Sequence, residues 1–310
     1  MSELHHATPV GVAIAALLAS AALQAGTADA ASKPPVVTVT LEADTGSAND
    51  PLGGGGIKIS GAKGLRAGWV TFHVVEKAEG EEGFMVSMDR ALTSAPSKAP
   101  AARQGIRRMQ SHGSSAGSTA ETYKQNAEDA RSTESAINWL GGINATHSGP
   151  VNLTVKLPAG TIYVEAGLRG ITPLKVGKGT NNSSPGHATV SVSEGKDSVI
   201  HAPSTLPRSG VLRISDTDSG KRGHFIMLVK PPKGATKKSI EKSFSPNSPS
   251  AQFDSYPVTG FFDPLSAGHT EYQSYRNLKP GRYAFIDTYA DDKTGHVHAQ
   301  DGAVTFVTVK

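Results

Sequence analysis

Leu157-Pro158-Ala159-Gly160-Thr161-Ile162 returns later in the chain as Leu278-Lys279-Pro280-Gly281-Arg282-Tyr283. Each copy is an apolar residue, a Pro/Gly turn and the start of a β-prone run, so each reads as a strand entered through a tight turn. Further pairs match in the same order. Ile57 to Gly68 lines up with Val199 to Gly210, Gly83-Phe84-Met85-Val86 with His224-Phe225-Ile226-Met227, and Gly186 to Val190 with Gly302 to Phe306. Ordered matches of this kind, each at a strand edge, imply a tandem duplication of one β-rich domain.

Strand patterns extend outward from these landmarks. Val36 to Leu41, Ile57 to Ser60, Trp69 to Val75, Gly83 to Met88, Val151 to Leu157, Thr161 to Ala166 and Ala188 to Val192 are β-branched or alternating. Residues 91–146 break the plan. They are rich in Ala, Ser, Arg and Gln, and read as a partly helical insertion closed by Gly141-Gly142; Lys237 to Phe244 is a shorter counterpart in the second copy. With roughly seven short strands per copy, the fold class is all-β: two tandem antiparallel Greek-key β-sandwiches. The expected division is 1–30, a linker at 31–35, a first domain at 36–195 with the insertion 91–146, and a second domain at 196–310.

Residues 1–30 read as an export signal. Val10 to Ala25 is apolar but shorter than the ~20 residues a spanning helix needs, and Ala28-Asp29-Ala30 is a small-x-small cleavage pattern. The flanking Met1 to Pro9 holds no Lys or Arg, only Glu3, His5 and His6. Cleavage removes Glu3 and Asp29 and no base, so the net charge rises from +4 to +6. A mild basic excess with no recognition motif argues against nucleic acid; Lys230, Lys233, Lys237, Lys238 and Lys242 read as a solvated face. The 310 residues include no Cys, which excludes disulfides, thiolate nucleophiles and Cys-ligated metals.

The turns and strands carry a resemblance. Leu65-Arg66-Ala67-Gly68-Trp69-Val70-Thr71-Phe72, Gly223-His224-Phe225, Leu278 to Asp287 and the loop Gly295-His296-Val297-His298-Ala299-Gln300-Asp301-Gly302 resemble the tandem cupredoxin-like domains of secreted bacterial proteins. The resemblance places His224 and His298 at the two histidine ligand positions of the metal-binding members. Asp287 stands where those carry Cys, and Ala303 where they carry Met. In the first copy the same positions fall on Gly83, Ala166 and His187, with no histidine in the loop, so that site is lost. Without a thiolate, blue-copper electron transfer loses its copper–sulfur bond. His224, Asp287 and His298, with His296 as a further candidate, leave a nitrogen–oxygen set suited to copper(II) or zinc. Coordination requires their ligand atoms to converge within about 4–5 Å.

Other constellations point to less chemistry. The one Gly-x-Ser-x-Gly match, Gly113-Ser114-Ser115-Ala116-Gly117, lies in the Ala/Ser-rich insertion and follows no strand run, so a hydrolase lacks its nucleophile context. Glu81-Glu82 and Asp291-Asp292 read as solvated hairpin tips, and Gly53 to Gly56 lacks the Lys-Ser/Thr of a phosphate loop. Trp69, Trp139, Tyr283 and Phe285 read as core, and Phe261-Phe262 as a loop pair able to face a partner. The function expected from the sequence is that of an exported, non-enzymatic binding or structural protein of the bacterial envelope or extracellular space. It would have no cofactor, no membrane span after signal cleavage and an unidentified envelope partner. The alternatives are a copper or zinc binding protein using His224, Asp287 and His298, and a cell-wall or carbohydrate binding module.

Overall fold

The alternating runs pair as their two-residue period dictates, each strand turning every second side chain inward. The computed structural model describes residues 32–42, 56–77, 81–89, 119–146, 149–166, 170–195, 197–219, 222–245 and 264–310. They lie in one compact unit, Ser32–Lys310. The segment read as an export signal, Gly53 to Gly55, residues 91–118 of the insertion and Phe261-Phe262 lie outside the described residues.

The first half contains β1 (Val36–Leu41), β2 (Ile57–Ser60), β3 (Arg66–Glu76), β4 (Glu81–Asp89), α1 (Ala120–Ala136), β5 (Ile137–Thr146), β6 (Val151–Leu157), β7 (Gly160–Ala166) and β8 (Gly170–Thr180). The second contains β9 (Val190–Glu194), β10 (Ile200–His201), β11 (Thr205–Leu206), β12 (Gly210–Asp216), β13 (Gly223–Val229), α2 (Lys237–Ser243), β14 (Pro264–Ser266), β15 (Thr270–Tyr275), β16 (Gly281–Asp287) and β17 (Val304–Val309). One pairing scheme occurs in both halves. The first has layers β2-β1-β3-β6 and β5-β4-β7-β8. The second has β10-β9-β12-β15 and β14-β13-β16-β17-β11. Each pair of layers encloses its own apolar cluster. Phe72, Phe84, Leu153 and Ile162 are among the first, Leu212, Ile214, Leu228 and Phe285 among the second. The chain is an all-β fold of paired sandwich layers.

Several local expectations change. The sandwiches are mixed rather than purely antiparallel, because β1 pairs parallel with β3 and β9 parallel with β12. Gly141-Gly142 does not end the helix. α1 stops at Ala136, where Ile137 takes an extended conformation, and the glycines lie inside β5. The β-branched and aromatic run Ile137-Asn138-Trp139-Leu140 favours a strand. β8 was hidden in the sequence by Pro173 and its glycines; opposite Tyr163, Pro173 lies on a stretch of β8 that pairs only with β7, so no ladder donor is missed. Val190–Glu194 pairs with β12, and its Val190 and Val192 belong to the second apolar cluster. Trp69 is half-buried, packing edge-on to Tyr272 at 5.4 Å, whereas Trp139, Tyr283 and Phe285 are buried.

The two halves share one sheet. β6 and β15 run antiparallel with Thr154 opposite Tyr272, flanked by Val155 opposite Glu271 and Leu153 opposite Gln273. Glu271 and Gln273 are fully buried at this seam. Glu271 Oε2 accepts from the Gly142 N–H at 2.9 Å, and Gln273 Nε2 donates to the Gly142 carbonyl and to Glu271 Oε1, both at 2.8 Å. Gly141 has φ +147°, and a Cβ there would overlap Glu271 Oε2. Gly141 therefore makes room for a carboxylate from the other half, and Gly142 bonds to it through its N–H.

Candidate metal centre

Two inward-facing apolar series end in acids where another core residue is due. On β9 the series is Val190, Val192, Glu194, and on β12 it is Leu212, Ile214, Asp216; all six side chains are buried. Glu194 and Asp216 are register neighbours. From the opposite layer, β13 brings His224 near its start and β16 brings Asp287 at its end, with Asp287 opposite Ile226. His298 comes from the loop that follows. Backbone bonds hold that loop in place: His298 N–H donates to the Tyr289 carbonyl at 2.9 Å, Ala299 N–H to the Asp287 carbonyl at 2.7 Å, and Ala303 N–H to the His298 carbonyl at 2.9 Å.

Asp287 is the hub. His224 Nδ1 lies 2.8 Å and His298 Nδ1 2.6 Å from its Oδ2. Its Oδ1 accepts the N–H groups of Phe225 at 2.9 Å and Tyr289 at 2.7 Å. Glu194 Oε1 lies 3.5 Å from His224 Nδ1. One ligand atom from each of Glu194, His224, Asp287 and His298 falls within 4.8 Å of all the others, with every residue buried. Around this hub are buried polar atoms with no hydrogen-bond partner: Nε2 of His224 and of His298, and Oδ2 of Asp216. Desolvated donors and acceptors left this way cost free energy, so the group is built for something it does not satisfy internally.

The electrostatics say what kind of occupant would relieve it. Burial, the charge of Asp287, a side-chain hydrogen bond with that carboxylate and the charge of Asp216 together push Glu194 well above the ordinary carboxylate range. Burial pushes Asp216 up to about 6, with His224 pulling the other way. Burial would raise Asp287 too, but the charge of His298 and the hydrogen bonds from both imidazoles outweigh it and hold Asp287 well below the usual range. Burial would lower His298, but the Asp287 carboxylate raises it above an ordinary histidine. Three carboxylates against two imidazoles are held in apolar surroundings, an environment that favours a cation.

The structure brings together His224, Asp287 and His298. His296 stays outside the group: its Nδ1 faces Asp301 Oδ1 at 3.2 Å and its ring packs on Tyr123 at 4.6 Å. Ala303 is buried and offers no ligand. Asp291 is buried rather than a solvated tip, its Oδ1 accepting the N–H groups of Lys293 and Thr294. Glu194 and Asp216 were missed, because an acid at a strand end reads as the start of a turn. The signal that finds them is the alternation, which makes both positions core positions. In the first half, the displacement that carries Gly68 to Gly210 also carries Val74 to Asp216, and strand pairing carries Val39 to Glu194 and Ala166 to Asp287. Val39, Val74 and Ala166 are all fully buried in the first apolar cluster. The same register sets Glu82 opposite His224 in the repeat, one residue before the Gly83 expected from sequence.

Helix α1, from the first half, covers the His298 loop. It starts at the Thr119 cap, whose side chain accepts the Thr122 N–H while Thr122 reaches back. Tyr123 OH donates to Gln300 at 3.3 Å, Asn126 Nδ2 to the Gly295 carbonyl at 3.4 Å, and Arg131 to the Asp292 carbonyl; Glu134 accepts the Gly223 N–H at 3.1 Å. Gly295 runs so close to the helix that a Cβ on it would overlap the Tyr123 carbonyl. Beneath α1, Ala130 and Trp139 pack with Tyr289 and Ala290.

No family model and no curated protein matches the chain. Among solved structures it is similar to a reduced auracyanin from the photosynthetic bacterium Roseiflexus castenholzii, at 15% identity and TM-score 0.26, over 39% of this chain and 94% of that one. It is similar to a multi-copper oxidase from Pediococcus acidilactici at 8% identity and TM-score 0.26, over 89% of this chain and 59% of that one. A blue copper oxidase from Nitrosomonas europaea matches at 13% identity and TM-score 0.20, over 90% and 86%. Likenesses this distant assign neither ligand nor activity. The expectation of a non-enzymatic chain is nonetheless corrected: oxidases stand among its structural neighbours, so enzymatic status is open. Among the described residues no helix is long and apolar enough to cross a membrane.

Proposed function

We propose that this chain binds a transition-metal cation, copper(II) or zinc, between the layers of its second half. His224 and His298 would supply imidazole nitrogens, and Asp287 and Glu194 carboxylate oxygens. The observation that carries this reading is the convergence of four buried ligand atoms within 4.8 Å. Such a donor set suits zinc and oxidised copper, and a dication would offset the buried acid excess. Asp287 in place of a thiolate removes the copper–sulfur bond on which blue-copper electron transfer depends.

The reading extends to organisation and place. The repeated pairing scheme supports a tandem duplication in which the first copy, 36–180, has filled its site with Val39, Val74 and Ala166, while the second, 190–309, keeps it. Removal of residues 1–30 and action outside the cytoplasm belong to the same proposal; the N-terminus of protein recovered from cell-envelope fractions tests them. For the metal, untagged protein incubated with zinc or copper(II) and then desalted is expected to retain metal that the Glu194→Gln variant loses. Equal retention by both removes Glu194 from the ligand set.

A further inference from the structure

The first copy shows what an inert core looks like at this end of the sandwich, and Asp216 departs from it without being needed as a ligand. Its register equivalent is Val74, fully buried among apolar side chains. Asp216 Oδ1 is occupied, accepting the Asp218 N–H at 2.7 Å. Its Oδ2 is buried and has no hydrogen-bond partner, and it points at His224 Nε2, 3.8 Å away, which is likewise buried and lacks a partner. Two unsatisfied polar atoms that face each other across a gap slightly too long for a hydrogen bond form a poised pair. On the other edge of the same ring, Nδ1 lies against Asp287 and Glu194.

A neutral imidazole carries one N–H. For Nδ1 to give its lone pair to a metal, the proton must sit on Nε2. In an apolar interior that N–H needs an acceptor, or the metal-binding tautomer is penalised by a desolvated donor. We propose that Asp216 is the positioning residue of the centre: its Oδ2 accepts Nε2–H of His224 and so holds the ring in the tautomer that presents Nδ1. This rests on the metal-binding reading above and deepens it. With Nδ1 of His224 given to a metal, the single proton of the neutral ring would sit on Nε2 rather than at the Nδ1 contact with Asp287, directed at Asp216 across a 3.8 Å gap that the ring would close; the ring neither gains nor loses a proton overall. No oxidation or reduction is involved.

The test is nitrogen-15 NMR of the zinc-loaded full chain, with zinc affinity measured alongside. His224 is expected to show a protonated Nε2 with a hydrogen-bonded, slowly exchanging proton, and a metal-shifted Nδ1. Asp216→Val, which installs the residue of the first copy, is expected to lower zinc affinity about 10–100-fold, the range typical of lost outer partners of metal-bound histidines, and to abolish the slow proton. Asp216→Asn keeps an acceptor oxygen and should retain most of both. A merely structural Asp216 would move stability but not the Nε2–H signal. An unprotonated Nε2 in zinc-loaded wild type overturns the proposal whatever the variants do, as does wild-type affinity in a folded Asp216→Val. A wild type that binds no zinc or copper overturns the metal reading itself, a result distinct from either.

Discussion

Glu194, Asp216 and Asp287 face His224 and His298 in a space that the first copy fills with valine and alanine. Without a cation these groups set the sign of the pH dependence. Glu194 is raised, Asp216 is raised to about 6, and burial raises Glu134 to about 7 despite the Gly223 N–H. A carboxyl raised on folding contributes its stability below its unfolded value and loses it as pH rises through the folded one. Raised His298 has the same sign, while depressed Asp287 contributes above its unfolded value and fails only in acid. Chelated protein should therefore unfold at lower urea at pH 8 than at pH 5. Metal must displace the protons on Glu194 and His298, so its stabilisation should grow over the same interval. Urea midpoints at both pH values, with and without zinc, check both signs. A chelated midpoint that rises with pH would contradict the charge assignment. At this scale His224, Asp287 and His298 were legible only through the resemblance to cupredoxin-like domains, which places ligand positions on them. Glu194 and Asp216 were not, since a carboxylate closing an apolar run reads as a turn unless the partner copy shows that the position is core.

Among the elements, α1 bears on the site without contributing a ligand. Its underside is small and polar, with Asn126, Ala127, Asp129, Ala130 and Thr133 buried, and two of the side-chain bonds that attach it to the His298 loop, from Tyr123 and Asn126, are long. A helix held by so little apolar area is the element able to open at least cost, and His224 and His298 are at most 2% exposed beneath the closed structure. Loosening its grip with Tyr123→Ala and Arg131→Ala should speed zinc transfer to an excess chelator about 10-fold or more, a barrier reduction of roughly 1.4 kcal/mol. Stopped-flow chelation reads it directly. An unchanged rate would assign gating to another segment. The helix was foreseen in the insertion, but its end was not: Gly141, which looks like part of a helix stop, leaves space for Glu271, far away in sequence. No local pattern announces a partner that arrives through tertiary pairing.

For the molecule as a whole, the pairing scheme that occurs in both halves is foreshadowed by matching turns and strand starts, because those are fixed by local φ and apolar period. The seam was not readable. Thr154 opposite Tyr272 on β6 and β15, with Glu271 and Gln273 bonded to Gly142, joins the halves through continuous sheet and buried polar contacts. Breaking that seam would expose an unpaired strand edge and desolvated polar groups, so the halves should unfold together. Calorimetry of the chelated protein is expected to show one transition, with fluorescence and circular dichroism coincident; two separated transitions would argue for independent halves. The central claim, that the second half holds a metal at His224, Asp287, His298 and Glu194, is tested most directly by isothermal titration of untagged protein and its His224→Ala variant with zinc and with copper(II). The account predicts a single saturable equivalent in the wild type, weakened in the variant by at least about 100-fold. No binding heat, or the same binding in both proteins, would contradict it.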